Sequence, residues 1–294
     1  MSNSAYVLGS SPRELSRLSL QAQIIGPITE RLLRRLGIKE GMQVLDLGCG
    51  AGDVSMLAAE MVGPRGSVVG IDQSAAAVAK ARARVRNRGF QQISFYVSSV
   101  EEFSSDETFD VVIGRFVLIH QLSPSDFLRA ARRHVRPGGA IAFHEVSCHH
   151  ELYSLPRAPL FQRMARLMKI GFNAFPSYDA AGRLLEHFRM ADLPHPELFA
   201  ELPVGGGMDS PVYAWMAETI RSLTPLLVKQ RVASEEEISV DTLEERLRSE
   251  VVEMQSQLVG QPQVCAWARL QGSGDQSSAE RERSGITQSS LAYA

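Results

Sequence analysis

Three glycines at alternate positions, Gly48, Gly50 and Gly52, followed by Asp53 and then by Asp72, are the residues best placed by type and spacing to hold a ligand. Without a Cβ, glycine lets a ligand approach the backbone, and the free N–H groups at a helix start can donate to it. The dinucleotide pattern G-x-G-x-x-G would need glycine at position 53, where the chain has Asp53. An acid there opposes a pyrophosphate docked on the helix dipole. Asp72, 24 residues after Gly48, suits a carboxylate that accepts both hydroxyls of a ribose. A glycine turn plus a ribose acid, without a phosphate clamp, describes an adenosine ligand that is not a dinucleotide. His120 and His144 are the histidines next to strand ends, with Glu145 beside the second. His149 and His150 read as surface loop residues.

The elements that must position these residues are legible as short apolar runs. Val44–Leu47 reads as a buried strand leading into the glycine turn, and residues 54–61 as the helix after it. Residues 67–72, 93–97, 109–114 and 140–145 read as four more strands, with helices between them. Strands alternating with helices imply a parallel, right-handed, doubly wound sheet. Residues 13–36 read as two amphipathic helices interrupted at Gly26-Pro27. Lys80, Arg84 and Arg88 stack at i, i+4 on the helix after Asp72 and read as a solvated face. Beyond residue 150 helices are expected over 155–173 and 178–190, further strands over 198–202 and 264–270, and a helical insertion over 211–258. Glu235, Glu236 and Glu237 in that insertion have few His or Cys partners and read as solvated helix faces, with no metal site implied. Residues 271–294 are poor in apolar side chains and read as a disordered tail.

The bulk numbers set limits. The 294 residues have a formal net charge of −2, with 44% hydrophobic and 22% charged side chains, as in ordinary globular domains. No run approaches the roughly 18 apolar residues of a membrane span. The amino terminus lacks the basic and apolar regions of a signal peptide. Three widely spaced cysteines, an odd number, argue against a disulfide framework and for a reducing cytoplasm.

At this level the chain resembles the class I S-adenosylmethionine-dependent methyltransferases, particularly the small-molecule enzymes of ubiquinone biosynthesis and natural-product tailoring. Four blocks within about residues 40–150 carry the resemblance: 44–52, 70–73, 99–101, and 109–120 followed by 135–139. It implies a Rossmann-like α/β fold with a seven-stranded, mostly parallel sheet whose last strand is antiparallel, N-terminal helices and a helical cap. It divides the chain into covering helices (1–40), a cofactor-binding core (41–150), an acceptor-side cap with the last strands (151–270) and the tail. It implies that backbone at Gly48, Cys49 and Gly50 lies along the methionine part and ribose of S-adenosylmethionine. Asp72 then takes the ribose hydroxyls, Gln73 lies beside the adenine, and Ser99, Val100 and Glu101 form the adenine loop. Ser99 replaces the usual Asp, giving an uncharged partner. Arg115 after the fourth strand, and Tyr6 and Gln21 from the covering helices, are further cofactor contacts. His120 is the candidate general base, the alternative being a histidine that shapes the pocket.

Phe161, Met164, Met168, Phe172, Phe175 and Tyr178 form an apolar cluster where this fold roofs its acceptor. The implied reaction is in-line methyl transfer to a small apolar or aromatic metabolite, as in secondary metabolism, by a cytoplasmic monomer or homodimer with no nucleic-acid, membrane or metal partner. Gly114-Arg115-Phe116-Val117 lacks the Asn/Asp-Pro-Pro-aromatic signature of amino-methylating DNA enzymes, and no Pro-Cys pair of the cytosine-C5 type occurs. Two alternatives stand beside this reading: an NAD-linked oxidoreductase, and a binding protein that keeps the fold without turnover.

Overall fold

The computed structural model describes residues 12–272, with side chains from residue 17. Tyr6 and nearly all of the expected tail lie outside the described residues. Ten strands and nine α-helices are found within them. The strands are β1 (Gln43–Leu47), β2 (Ser67–Asp72), β3 (Ile93–Val97), β4 (Phe109–Arg115), β5 (Val135–Val146), β6 (Tyr153–Leu155), β7 (Glu197–Glu201), β8 (Val204–Gly205), β9 (Gln257–Val259) and β10 (Gln263–Arg269). The helices are α1 (Pro12–Arg35), α2 (Asp53–Val62), α3 (Ala75–Arg88), α4 (Pro124–Arg132), α5 (Pro159–Phe172), α6 (Leu184–Met190), α7 (Val212–Lys229), α8 (Glu235–Ile238) and α9 (Leu243–Glu253).

Seven strands form one sheet in the order β3-β2-β1-β4-β5-β10-β7. β3, β2, β1, β4 and β5 are parallel, and β10 runs antiparallel to both of its neighbours. The fold is therefore the expected doubly wound α/β sheet. β1 lies inside the sheet between β2 and β4, buried on both faces. Val44 packs with α1 and α2, whereas Leu45 and Leu47 pack with α4 and α6. The near-continuous apolar run is the consequence of that two-sided cover.

Four expectations need correction. Gly26-Pro27 does not divide α1, which runs unbroken from Pro12 to Arg35. Ile25, Ile28, Leu32 and Leu33 are all buried on one stripe, and their burial outweighs the backbone hydrogen bond that Pro27 cannot make. The Pro137-Gly138-Gly139 turn lies within β5: Val135 pairs with Phe109, Ala140 with Val111, and the intervening residues form an irregularity. Residues expected as the helix 178–190 divide into a 3-10 turn, Ala180–Arg183, and α6. A second small sheet, β6-β9-β8, was not expected.

α5, α7, α8 and α9 enclose a separate apolar core that includes Phe161, Met164, Tyr213 and Ile220. That core forms a cap over the carboxyl ends of the central strands. Among the described residues no helix is long and apolar enough to cross a membrane.

Candidate functional site: a two-ended cavity at the switch point

Strand order reverses between β1 and β4, the position at which open α/β sheets bind their ligands. A cavity of about 1120 Å³ opens there, lined by the loops after β1, β2, β3 and β4, by α1, and by the cap. Ordinary small-molecule pockets measure roughly 300–1,000 Å³, so this one has room for more than one ligand.

At one end lies the glycine turn. Gly48 has φ +63°, and a Cβ there would stand 2.4 Å from Val117 Cγ1. Gly50 has φ +53°, and its N–H donates to Asp72 Oδ2 at 2.9 Å. The N–H of Ser74 donates to Asp72 Oδ1 at 2.8 Å. Burial raises the Asp72 carboxyl above its ordinary range, and these two N–H groups oppose the rise. A carboxylate has about four lone-pair sites, so both oxygens keep capacity to accept from a pair of vicinal hydroxyls. The bare backbone of the turn and this anchored acid fit the ribose and methionine part of an S-adenosyl ligand.

Behind the turn, Arg84 departs from the solvated face expected of it. Its Nη1 donates to the Ala51 carbonyl at 2.6 Å and its Nη2 to Asp53 Oδ1 at 2.7 Å. Asp53 is thus a neutralised acid, which weakens the argument that its charge alone repels pyrophosphate. Arg82 likewise reaches the Phe95 carbonyl. The basic spacing on α3 reflects this backward reach as well as solvation.

Asp46, which the sequence reading passed over, lines the same end. Ser55 donates to it at 2.5 Å. Burial pushes its carboxyl up to about 7, against the pull of Ser55 and of Arg115. The signal available was an acid inside an otherwise apolar strand run, since a fully buried carboxylate is rare unless it is paired. Arg115 itself lines the cavity and donates to Thr29 Oγ1 at 3.2 Å. Thr29 also meets His144 Nδ1 at 3.0 Å, and His144 Nε2 meets Gln263 at 3.2 Å. These contacts fit a neutral His144 that accepts at Nδ1 and donates at Nε2; its pKa is pushed down to about 3 by burial and by Arg115. His144 is fully buried and does not line the cavity.

Cys49, Gln73, Ser99, Val100 and Gln21 all line the cavity. Ser99 Oγ accepts from the Glu102 N–H at 3.2 Å, so part of its capacity already holds its own loop. Glu101 is the exception. It is exposed and does not line the cavity, because the chain turns outward immediately after the buried Val100. Arg17, also missed, is buried and lines the cavity from α1. A cation among the leucines of an amphipathic stripe gives no sign in sequence of where it points.

His120 lines the cavity from the end of a 3-10 turn, Leu118–His120. Its ring meets Phe175 edge-on, with centroids 5.0 Å apart. Burial, and then the nearby Arg17, push its pKa down to about 4. It is therefore an uncharged imidazole at neutral pH and a weak base. His149 and His150 are exposed and lie outside the cavity.

Beyond His120 the lining changes character. Cys148, Leu152, Phe161, Phe172, Phe175 and Trp215 supply much of it. From Val146 onward no lining residue is Asp, Glu, Lys, Arg or His. Burial pushes the Cys148 thiol up to about 12, which leaves it unreactive. Of the apolar cluster expected at this roof, Phe161, Phe172 and Phe175 reach the cavity, whereas Met164, Met168 and Tyr178 belong to the cap core.

The architecture is shared with solved structures of low sequence identity, which speak to fold alone. The YcgJ protein of Bacillus subtilis superposes with a TM-score of 0.53 at 13% identity, over 83% of this chain and 97% of that one. The [4+2]-cyclase SpnF gives 0.51 at 18% identity, over 84% and 80%. Both share the α/β architecture described above.

Residues 38–176 match the family described as methyltransferase domain. The chain is 36% identical to an arsenite methyltransferase of Aquipseudomonas alcaligenes, over 36% of this chain and 33% of that one. It is 29% identical to a ubiquinone biosynthesis O-methyltransferase of Aromatoleum aromaticum, over 54% and 66%. It is 31% identical to a demethylmenaquinone methyltransferase of Bacillus subtilis, over 40% and 51%. Over residues 38–176 the chain is similar to the class I S-adenosylmethionine-dependent methyltransferases. The chain spans between a third and two thirds of the length of these curated relatives.

Proposed function

We propose that this protein transfers the methyl group of S-adenosylmethionine to a small, uncharged, apolar or aromatic acceptor. The observation that carries the reading is the asymmetry of the cavity. One part offers bare glycine backbone and an anchored carboxylate, and the lining residues from Val146 onward are largely apolar and aromatic, with no Asp, Glu, Lys, Arg or His among them. The bound donor supplies a methyl group on a sulfonium, already an excellent leaving group. In this reading Asp72 holds the ribose hydroxyls, Gly48, Cys49 and Gly50 face the methionine part, and Gln73, Ser99 and Val100 border the adenine. Arg17 and Arg115 supply positive charge near the donor's carboxylate end. The cap holds the acceptor in line and keeps water away, which can account for much of the rate.

A group titrating at about 4 is poorly matched to proton transfer at neutral pH. His120 therefore orients the acceptor as an uncharged hydrogen-bonding edge, in preference to the role of general base. The matches to methyltransferases do not favour the NAD-linked alternative. The test is transfer of labelled methyl from S-adenosylmethionine to a panel of neutral phenols, quinols and indoles, with phosphorylated and carboxylated analogues beside them. Labelling confined to neutral members is expected; labelling confined to the anionic members contradicts the reading of the acceptor end.

A further inference from the structure

Adjacent residues of β5 send their side chains to opposite faces of the sheet. His144 meets Thr29 of α1, whereas Glu145 reaches the segment that follows β4. The N–H groups of Val117 and Leu118 donate to Glu145 Oε1 at 3.0 and 2.9 Å. The second oxygen, Oε2, is buried with no hydrogen-bond partner. Glu145 is fully buried and does not line the cavity, so it acts on the site only through what it holds.

The held segment is central to the site. Phe116 has φ +56°, a conformation that residues with a side chain rarely adopt, and it lines the cavity. The side chain of Val117 fills the space that two glycines leave. A Cβ on Gly48 would stand 2.4 Å from Val117 Cγ1, and one on Gly114 would stand 2.6 Å from Val117 Cγ2. Three residues later the segment ends in His120. One carboxyl group thus fixes a stretch of backbone that leans on the glycine turn and carries Phe116 and His120 into the cavity. A buried acid with an unpartnered oxygen is unfavourable for stability by itself.

We propose that Glu145 is a positioning residue of this site. By accepting from Val117 and Leu118 it sets the 116–120 segment against the glycine turn, and so sets the seat of the cofactor and the place of His120. The inference rests on the S-adenosylmethionine reading above.

Wild type, E145Q and E145L are titrated calorimetrically with S-adenosylhomocysteine, and the amide resonances of Val117 and Leu118 are followed by NMR. Glutamine keeps an accepting oxygen, so E145Q is expected to bind within about twofold of wild type with both amides little moved. Leucine has similar bulk and no acceptor, so a folded E145L is expected to bind at least about tenfold more weakly, with both amides shifted upfield. If E145L does not fold, E145D, one methylene too short to reach, carries the same expectation. Wild-type affinity in E145L or E145D overturns the proposal, as does an E145Q as weak as they are. A wild type that ignores S-adenosylhomocysteine contradicts the cofactor reading instead, and the amide resonances still report whether Glu145 holds the segment.

Discussion

Asp72 and His120 mark the two kinds of work at this site, and their surroundings separate them. Asp72 is a carboxylate held by two backbone N–H groups with capacity to spare. Removing it should cost two charge-assisted hydrogen bonds of about 1.5–3 kcal/mol each, and it frees Gly50 as well. Asp72→Ala is therefore expected to weaken S-adenosylhomocysteine binding by well over tenfold in a calorimetric titration. Unchanged affinity would remove the ribose role. His120 has been driven down to about 4, where it is neutral but hardly basic at pH 7. General acid–base catalysis contributes typically 10²–10⁴-fold. His120→Ala is expected to lose less than about tenfold in the rate of labelled-methyl transfer, and a loss above about a hundredfold would restore the base. Both residues were visible in the sequence because each follows an apolar strand run. Asp46 and Glu145 were not read as site residues, since their meaning depends on Ser55 and on the backbone of residues 117–118, which lie elsewhere in the chain.

At the scale of elements, the β1–α2 crossover and the segment after β4 behave as one unit. Val117 occupies the volume that the missing Cβ of Gly48 leaves free. Gly48→Ala adds a collision at 2.4 Å to a left-handed backbone that costs a non-glycine residue about 1–2 kcal/mol. It is expected to lower the melting temperature and to weaken S-adenosylhomocysteine binding together, by scanning fluorimetry and calorimetry. A lower melting temperature with full affinity would mean that the turn and the segment are not coupled. The crossovers were legible in sequence because strand, turn and helix are local patterns. α1 was misread because the interruption at Gly26-Pro27 is local, whereas the burial of Ile25 and Ile28 against the core is not. Strands of two or three residues, such as β8 and β9, are too short to carry a period. The apolar part of the cavity was legible only as apolar residues on α5 and just after it. Trp215, Val259 and Gln261 reach it from far along the chain.

The whole molecule carries several ionisable groups in its interior, and their opposing shifts set its response to pH. Glu145 is raised to about 8 and Asp46 to about 7 by burial. In the unfolded chain both ionise near pH 4. Between those limits the folded state binds more protons than the unfolded one, so their contribution to stability is complete below about pH 4 and is lost as pH rises toward 8. His144 and His120, lowered to about 3 and 4, act in the other direction and cost stability as pH falls below about 6.5. The difference in melting temperature between E145Q and wild type is therefore expected to move in favour of the variant from pH 5 to pH 8.5. Each kcal/mol should show as roughly 2–4 °C. A difference that stays constant would mean that Glu145 does not titrate in this window.

In the proposed function the first crossover holds the sugar and sulfur of an S-adenosyl ligand and not a pyrophosphate. Calorimetric titration of the full chain with S-adenosylhomocysteine and, separately, with NADH tests it most directly. One saturable site is expected for S-adenosylhomocysteine, abolished or severely weakened in Asp72→Ala, and no heat of binding with NADH. Saturable binding of NADH with none of S-adenosylhomocysteine would contradict it.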